Sequence, residues 1–395
     1  MTTFVISDLH LMDRQEPFLF NSEKELAFAQ LCQEMKSSDQ LVLAGDIFDL
    51  TGMTPCRLGQ LKFFQEVVSP HLQDQILIQN CSEVRSTEDL LLSTKKMFPL
   101  FFSCLQKLAL GKQLIYIPGN HDCAFLQAEG RQAFQKVLDV SGDDIQWKST
   151  VLVENRLAIV HGNQFDPANR TDQGCENPGF TFTSGLYHAV LPALKMLGVD
   201  PVMIAALPAV RPEEESVTGM QLYLGEKDCK KVLLEFAILL QKNGFFSGPA
   251  AVPSWFLGHS FPFLSSLIRK KITPERVRAI LPNEADVIRR SREGSLKLLS
   301  QLKRNNPQLN DAVIVCGHTH ELDFTSRSVN LGTWIDHIGG LAPQQIQGAD
   351  RNLPVLMSSD TGRTQLMNIH TLVLCGSLED CPILWSKPAQ EQYDK

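Results

Sequence analysis

Five short polar motifs follow one another along this chain, and every one contains residue types that bind divalent metal ions. They are Asp8-Leu9-His10, Gly45-Asp46-Ile47-Phe48-Asp49, Gly119-Asn120-His121-Asp122, His161-Gly162 and Gly317-His318-Thr319-His320. Imidazole nitrogens combined with carboxylate and amide oxygens suit Mn, Fe or Zn, whereas oxygen ligands alone favour Mg or Ca. Two such cations, about 3.5–4 Å apart, activate a water and stabilise an in-line displacement at phosphorus. The motifs therefore predict a dinuclear metal site that hydrolyses phosphoesters.

A carboxylate between the two metals is the central requirement of such a site, and Asp46 is the candidate for it. A single motif of this kind is more often a turn or a helix cap, so the hypothesis depends on all five occurring together. The full set of candidate ligands is Asp8, His10, Asp46, Asn120, His161, His318 and His320.

Short apolar runs precede the motifs, at residues 4–7, 41–44, 114–117, 158–160 and 312–315. Runs of this length that end at Gly, Pro or Asp are typical of buried strands rather than helices. In α/β proteins, ligand sites form where the carboxyl ends of strands meet. We therefore expect five strand ends to converge on one crevice.

The order of the motifs resembles that of the calcineurin-like metallophosphoesterase superfamily, in which Asp-x-His, Gly-Asp-x-x-Asp, Gly-Asn-His-Asp/Glu, His and Gly-His-x-His follow one another. The resemblance implies an α/β fold, a four-layer αββα sandwich of two mixed sheets flanked by helices. It also implies hydrolysis of a phosphomonoester or phosphodiester by in-line attack of a metal-bridging hydroxide. A metal-bound, non-catalytic scaffold is the alternative from another class, but none of the expected ligands is replaced here.

The resemblance also assigns roles to individual residues. Four ligands would hold each metal, and Asp46 would be shared. His121 would act on the leaving group as an acid or charge stabiliser, and Asp122 would orient it. Two divalent ions are expected, with Mn as the first choice and Fe or Zn as alternatives. The two ligand sets are Asp8, His10, Asp46 and His320 for one metal, and Asp46, Asn120, His161 and His318 for the other.

The stretch between His161 and His318 is much longer than the roughly 30 residues of a βαβ unit. We therefore predict a core in two parts, residues 1–165 and 309–395, interrupted by a large, mainly helical insertion or cap at residues 166–308. Two interpretations of this insertion stay open. It is either a cap whose apolar residues pack on the core, or a surface that accepts acyl chains or touches a membrane through residues 184–271. Arg269, Lys270 and Lys271 fit the second interpretation.

A weaker resemblance, to UDP-2,3-diacylglucosamine hydrolases, suggests an alternative function as a pyrophosphatase of a lipid-linked nucleotide at the membrane surface. Arginine commonly stands in that family where this chain has His121, and its insertion is shorter. Arg170, which soon follows the His161 motif, could bind substrate phosphate or form a surface ion pair. Either substrate would be a phosphorylated small molecule or a lipid-linked one.

Composition favours a cytoplasmic enzyme, with peripheral membrane contact as an alternative. The net charge of −7 and the pI near 5.8 do not favour a surface that coats nucleic acid. The N-terminus enters the first apolar run at once, so we expect no signal peptide. The ten cysteines contain no Cys-x-x-Cys pair, which predicts reduced, packed thiols in a reducing compartment.

Overall fold

The fold is described from a computed structural model, which covers most of the chain. The described residues are 1–54, 85–149, 152–154, 157–172, 174–212, 215–242, 284–305, 309, 312–325, 327–359, 364–368 and 373–377.

The strands lie in the N-terminal and C-terminal parts of the chain and pair into two sheets. They are β1 (Thr2–Ile6), β2 (Gln40–Leu43), β3 (Leu114–Tyr116), β4 (Ile145–Trp147), β5 (Leu152–Glu154), β6 (Leu157–Ile159), β7 (Val313–Cys316), β8 (Leu322–Phe324), β9 (Ser328–Leu331), β10 (Pro354–Ser359), β11 (Thr364–Asn368) and β12 (Val373–Ser377). The first sheet has the order β12-β11-β10-β1-β2-β3-β4, and the second has the order β5-β6-β7-β9-β8.

Both sheets are mixed, with a parallel centre. Strands β1 to β4 are parallel, and β10 to β12 continue that sheet in antiparallel fashion. In the second sheet β6, β7 and β9 are parallel, and antiparallel strands close the two edges. Because parallel strands end at the same edge, the loops after β1, β2, β3, β6 and β7 are available for one shared site.

The alternation of side chains along β1 explains why the two sheets stack face to face. Val5 points into a core shared with Val315 of β7 and Val329 of β9, whereas Phe4 and Ile6 point to the opposite face. Successive residues of a strand face opposite sides of its sheet, and here both sides are apolar. A strand buried on both faces is expected for a parallel sheet that is covered on each side.

Helices cover the outer faces and fill the segment between β6 and β7. They are α1 (Ser22–Glu34), α2 (Leu50–Met53), α3 (Thr87–Met97), α4 (Pro99–Leu110), α5 (Ala128–Leu138), α6 (Pro178–Gly185), α7 (Leu191–Met196), α8 (Pro201–Ala206), α9 (Glu215–Lys242, broken at Gly225), α10 (Glu284–Asn305) and α11 (Pro343–Gln347). A π-helical turn, Leu186–Val190, joins α6 to α7.

Two helical layers complete the sandwich. Phe28 of α1, Leu91 of α3, Phe101 of α4 and Phe134 of α5 are buried on the outer side of the first sheet. Leu299 of α10 packs on the outer side of the second sheet. The predicted four-layer arrangement of two mixed sheets flanked by helices is therefore confirmed.

The described part of the predicted insertion is helical and packs on the core. The Phe182 ring of α6 lies 5.6 Å from the Phe236 ring of α9, and Ser184 Oγ donates a 2.8 Å hydrogen bond to Thr54 O at the end of α2. The division of the chain at residues 165 and 308 stays a prediction. Residues 243–283, which include the basic cluster 269–271, lie outside the described residues. Within the described ranges, no helix is long and apolar enough to cross a membrane.

The cysteines differ from the expectation of thiols that are all reduced. Cys123 and Cys175 form a disulfide, with 5.8 Å between their Cα atoms. The fold brings together two loops that the sequence separates by 52 residues, and the absence of a Cys-x-x-Cys pair could not exclude such a contact. The bond links the turn after the His121 motif to the loop before α6. The expectation was therefore wrong for this pair, whereas Cys32, Cys104, Cys229 and Cys316 are free thiols.

Candidate metal centre

Five loops meet at the carboxyl ends of the central strands and hold one another through main-chain hydrogen bonds. Asp8 N donates to Gly45 O over 3.0 Å, which joins the loops after β1 and β2. Gly317 N donates to His161 O over 2.7 Å, which joins the loops after β7 and β6. The Asp8 carboxylate accepts from His318 N at 3.0 Å and so connects the two sheets. The convergence that the apolar runs predict is present.

Five of the candidate ligands have a left-handed backbone, which non-glycine residues seldom adopt. Their φ angles are 55° at Asp8, 52° at His10, 53° at Asp46, 74° at His318 and 61° at His320. Such a conformation costs about 1–3 kcal/mol per residue and persists where the surrounding structure imposes it, typically at functional sites. The sequence motifs gave no indication of this strain. The strained backbone is therefore a second indication, besides the side chains, that these loops form a functional site.

Two glycines let the ligand loops approach one another. A methyl group on Gly119 would collide with the Asp46 carboxylate, and one on Gly317 would collide with the Asp8 carboxylate. Neither glycine has a positive φ, so they are needed for close packing against a carboxylate rather than for a turn.

The first group of potential ligands consists of Asp8, His10 and His320. His10 Nε2 and His320 Nε2 lie 2.9 Å apart, and His320 Nε2 lies 3.4 Å from Asp8 Oδ1. All three side chains are buried or nearly so. Three donor atoms thus converge within reach of a single ion.

The second group consists of Asp46, His161 and His318, with Asn120 beside them. His161 Nε2 lies 3.0 Å from Asp46 Oδ2 and 3.2 Å from Asn120 Oδ1. The structure therefore brings all seven candidate ligands to one place. The assignment of each residue to a particular metal stays a prediction.

The outer nitrogens of two histidines show that these rings fit a cation. His161 Nδ1 lies 2.9 Å from Ala44 O, so Nδ1 carries the proton and Nε2 is left for a metal. His318 Nε2 lies 3.1 Å from Asp166 Oδ2, which leaves Nδ1. That Nδ1 atom is buried and has no hydrogen-bond partner among the described residues. Backbone carbonyls and carboxylates are the usual outer partners of metal-binding histidines.

The charges of the site also suit a cation. Burial lowers the pKa of His10 to about 3, and the neighbouring His121 and His320 act in the same direction, so the ring is neutral and able to donate a lone pair. Burial lowers the pKa of His161 too, but the Asp46 carboxylate overrides it and raises the value to about 10. His161 in turn holds the pKa of Asp46 well below its usual range, against the effect of burial. A buried carboxylate here is stabilised by positive charge.

The partner of His121 differs from the expectation. His121 Nδ1 lies 2.7 Å from Asp49 Oδ1, so Asp49 orients the ring. Asp122 instead accepts hydrogen bonds from Tyr116 OH at 2.6 Å and from Gly119 N at 2.6 Å. The idea that Asp122 orients His121 was therefore wrong, because the Asp122 side chain turns back towards β3 and stabilises the loop. The sequence favours Asp49, the second aspartate of the Gly-Asp-x-x-Asp motif, as a hydrogen-bond acceptor that orients a histidine, and in the structure that histidine is His121.

A pocket of ≈ 160 Å³ opens above the two groups, and helices of the insertion form its other side. Arg211, which precedes α9, lies on this wall. Arg170 is exposed and is not among the residues that line the pocket, and its role stays a prediction. Sequence reasoning missed Arg211 because this residue belongs to none of the five motifs. It also missed Asp166, although that residue falls inside the His161 loop.

Comparison with known proteins agrees with this geometry. The family model for calcineurin-like phosphoesterases matches residues 1–260. That range contains the loops after β1, β2, β3 and β6, and the loop with His318 and His320 joins them in space. No curated protein and no solved structure matches the chain. The match extends over more than half of the sequence, and the chain therefore belongs to the calcineurin-like phosphoesterase family, the metal-dependent hydrolases of phosphate esters.

Proposed function

We propose that this enzyme hydrolyses a phosphomonoester or phosphodiester with two divalent metal ions, for which Mn is the first candidate and Fe and Zn are alternatives. The observation that carries the proposal is that separate groups of possible ligands lie side by side, one around Asp8 and His320 and another around Asp46 and His161. A third group, His10, Asp49 and His121, shares His10 with the first. One metal site with hard oxygen ligands would not need four imidazoles in this arrangement.

The proposed roles of the ligand residues Asp46 and Asn120 differ because their charges differ. Asp46 is the proposed bridge, since it is the buried carboxylate in contact with His161 and with the main chain of His121. Asn120 is neutral and fixes geometry at the second metal without adding charge. When bound, the two cations would supply a nucleophile at neutral pH and neutralise charge on the phosphoryl oxygens.

His121 is the proposed acid or charge stabiliser for the leaving group. Its side chain is 15 % exposed, lines the pocket and is held by Asp49 on its inner nitrogen. The other ring nitrogen is then the one available to a substrate oxygen. A histidine oriented by a carboxylate in this way is suited to proton transfer.

A second candidate function, cleavage of a lipid-linked nucleotide such as UDP-2,3-diacylglucosamine, is supported by a neighbouring apolar cavity. This cavity of ≈ 60 Å³ shares Phe182, Leu186, Pro208 and Arg211 with the metal pocket. Its remaining lining is almost entirely aliphatic or aromatic. The cavity is therefore placed to accept a hydrocarbon group of a substrate whose phosphate lies at the metals.

The deciding experiment is hydrolysis of a matched panel by the Mn-reconstituted protein, with Asp46→Ala as the control. The panel contains a phosphomonoester, a phosphodiester and UDP-2,3-diacylglucosamine in micelles. Cleavage of the simple esters alone would establish the first candidate, whereas selective release of UMP would establish the second. Metal binding without cleavage of any ester would refute both and make the protein a metal-bound scaffold.

The proposed location is the cytoplasm, with contact to a membrane surface only if the lipid substrate is the correct one. Free Cys32, Cys104, Cys229 and Cys316 fit a reducing compartment, and the Cys123–Cys175 disulfide does not. Differential alkylation of the protein in intact cells measures this directly. A Cys123–Cys175 bond that is fully formed in the cell would contradict the cytoplasmic placement.

A further inference from the structure

One candidate ligand, His320, has an outer partner of the wrong chemical type for a metal-bound histidine. His161 and His318 direct their outer nitrogens at acceptors, Ala44 O and the Asp166 carboxylate. His320 Nδ1 instead lies 2.7 Å from Arg211 Nη2. A guanidinium has five N–H donors and no acceptor, so His320 Nδ1 must be the acceptor in this contact.

The hydrogen bond fixes where the ring proton of His320 lies. A neutral imidazole carries one proton, and a ring that accepts at Nδ1 carries it on Nε2. The Nε2 atom is the one that faces His10 and Asp8, and with a proton there it has no lone pair for a cation. If a cation is bound at Nε2, the proton must sit on Nδ1, where it would meet a second donor. If a cation is bound at Nδ1, it takes the place of the guanidinium. In either case, metal binding by His320 and the Arg211 contact exclude each other.

The guanidinium would not move far after losing His320. Arg211 Nη1 donates to Val210 O at 2.7 Å and to Pro208 O at 3.2 Å, and Nε lies 3.9 Å from Glu284 Oε1. The side chain is only 10 % exposed. Its own loop therefore anchors one edge of the guanidinium, while the Nη2 edge points into the pocket that contains the ligand groups.

We propose that cation binding at His320 displaces Arg211 and turns its Nη2 edge into a binding site for a phosphoryl oxygen of the substrate. The proposal rests on the proposed function, because it requires His320 to be a metal ligand. A buried guanidinium with a free N–H edge is the side chain best suited to a phosphate oxygen. The insertion thereby contributes a phosphate-binding residue to a site whose seven candidate metal ligands come from the core. Binding is ordered, since metal must precede phosphate.

The test compares the wild type with Arg211→Met, which keeps the aliphatic stem and removes the donors. Calorimetry measures the affinity for Mn, and then the affinity of the Mn-loaded protein for inorganic phosphate. We expect Arg211→Met to bind Mn roughly tenfold more tightly, because a competitor for His320 is gone, and phosphate roughly 10- to 100-fold more weakly. Wild-type protein without metal should not bind phosphate. A merely structural residue would not shift the two affinities in opposite directions.

Two further variants complete the design. Arg211→Lys restores a positive charge without the planar fork and should recover part of the phosphate affinity. Arg289→Met removes an exposed arginine of α10 that pairs with Asp286 and Glu293, and both affinities should match those of the wild type. Unchanged or weaker Mn binding by Arg211→Met would overturn the displacement, and unchanged phosphate binding would overturn the substrate contact. A wild type that binds no Mn would overturn the proposed function itself.

Discussion

The two walls of the pocket come from different parts of the chain and differ in how they are built. The core wall consists of short loops after strands, and it contributes acids and imidazoles such as Asp46, His121 and His318. The insertion wall consists of helices between β6 and β7, and it contributes mainly apolar side chains such as Phe182, together with Arg211. From this difference we propose that the core segments determine the reaction chemistry and that the insertion determines the choice of substrate.

This difference between the two walls can be tested by measuring how variants in each wall hydrolyse different substrates. A change in the core wall should affect every phosphoester equally, since all of them need the metals. A change in the apolar part of the insertion wall should affect substrates unequally, since they differ in the groups attached to phosphorus. A core variant that alters selectivity, or a variant in that apolar part that abolishes all turnover, would break the comparison.

Asp46→Ala should have the largest effect. Removal of the carboxylate that we propose as the bridge should release both metals and reduce turnover of every substrate to background. Metal content by atomic spectroscopy and hydrolysis rates provide the measurement, and Asp143→Ala, at an exposed aspartate outside the five motifs, is the control. Retained activity in Asp46→Ala would show that the site is assigned wrongly.

His121→Ala should reduce turnover by about 10²–10⁴-fold, the usual contribution of a positioned acid or base. The metals should stay bound, because His121 belongs to neither predicted ligand set and its Nδ1 atom is held by the Asp49 carboxylate. Steady-state kinetics and metal content, measured on the same preparation, distinguish a catalytic role of His121 from a role as metal ligand. Loss of metal would identify His121 as a ligand.

Gly119→Ala tests how closely the loops must approach. The added methyl group would push the Asp46 carboxylate, and metal affinity should fall by roughly 10–100-fold, as it does when groups around a metal ligand are disturbed. Gly142→Ala is the matched control, since a methyl group there meets nothing within 4 Å. Equal Mn affinities of the two variants, measured by titration, would contradict the close approach.

Metal uptake should release protons, because burial lowers the pKa of His161 but Asp46 raises it to about 10, and a ligand imidazole must be neutral. Affinity should therefore rise by about tenfold per pH unit for each proton released, up to pH 10. Since the pKa is raised above 6.5, the same group stabilises the metal-free fold below pH 6.5, and that contribution is lost as the pH rises to 10. Calorimetry in buffers of different ionisation enthalpy counts the protons, and an uptake without release would refute this assignment.

Phe182→Ala should have the smallest effect and the most selective one. The ring lines both the metal pocket and the apolar cavity, so its removal should lower kcat/KM for a substrate with a hydrocarbon group by about 10-fold or more. Simple esters should be hydrolysed nearly as before. The exposed Leu222 of α9 offers Leu222→Ala as a control. Equal losses on both substrate types would contradict a role in selection.

The sequence predicted the core wall well because each of its ligands follows directly on a strand. Asp8, for example, is two residues beyond β1, and its position is fixed once the strand is placed. Asp49 and Asp122 could not be told apart in this way, since both follow strands and only the side-chain direction decides which one meets His121. The disulfide and Arg211 could not be predicted either, because both depend on how the insertion folds back on the core.

The left-handed backbone at Asp8, His10, Asp46, His318 and His320 has a consequence for how this enzyme evolves. Glycine adopts that conformation without steric cost, so a replacement of the ligand by glycine would relieve about 1 kcal/mol of backbone strain at each position. Selection for thermal stability alone would therefore drift towards inactive sequences at these sites. A library of variants can be ranked once by melting temperature and once by turnover. The two rankings should differ most for substitutions at these five residues.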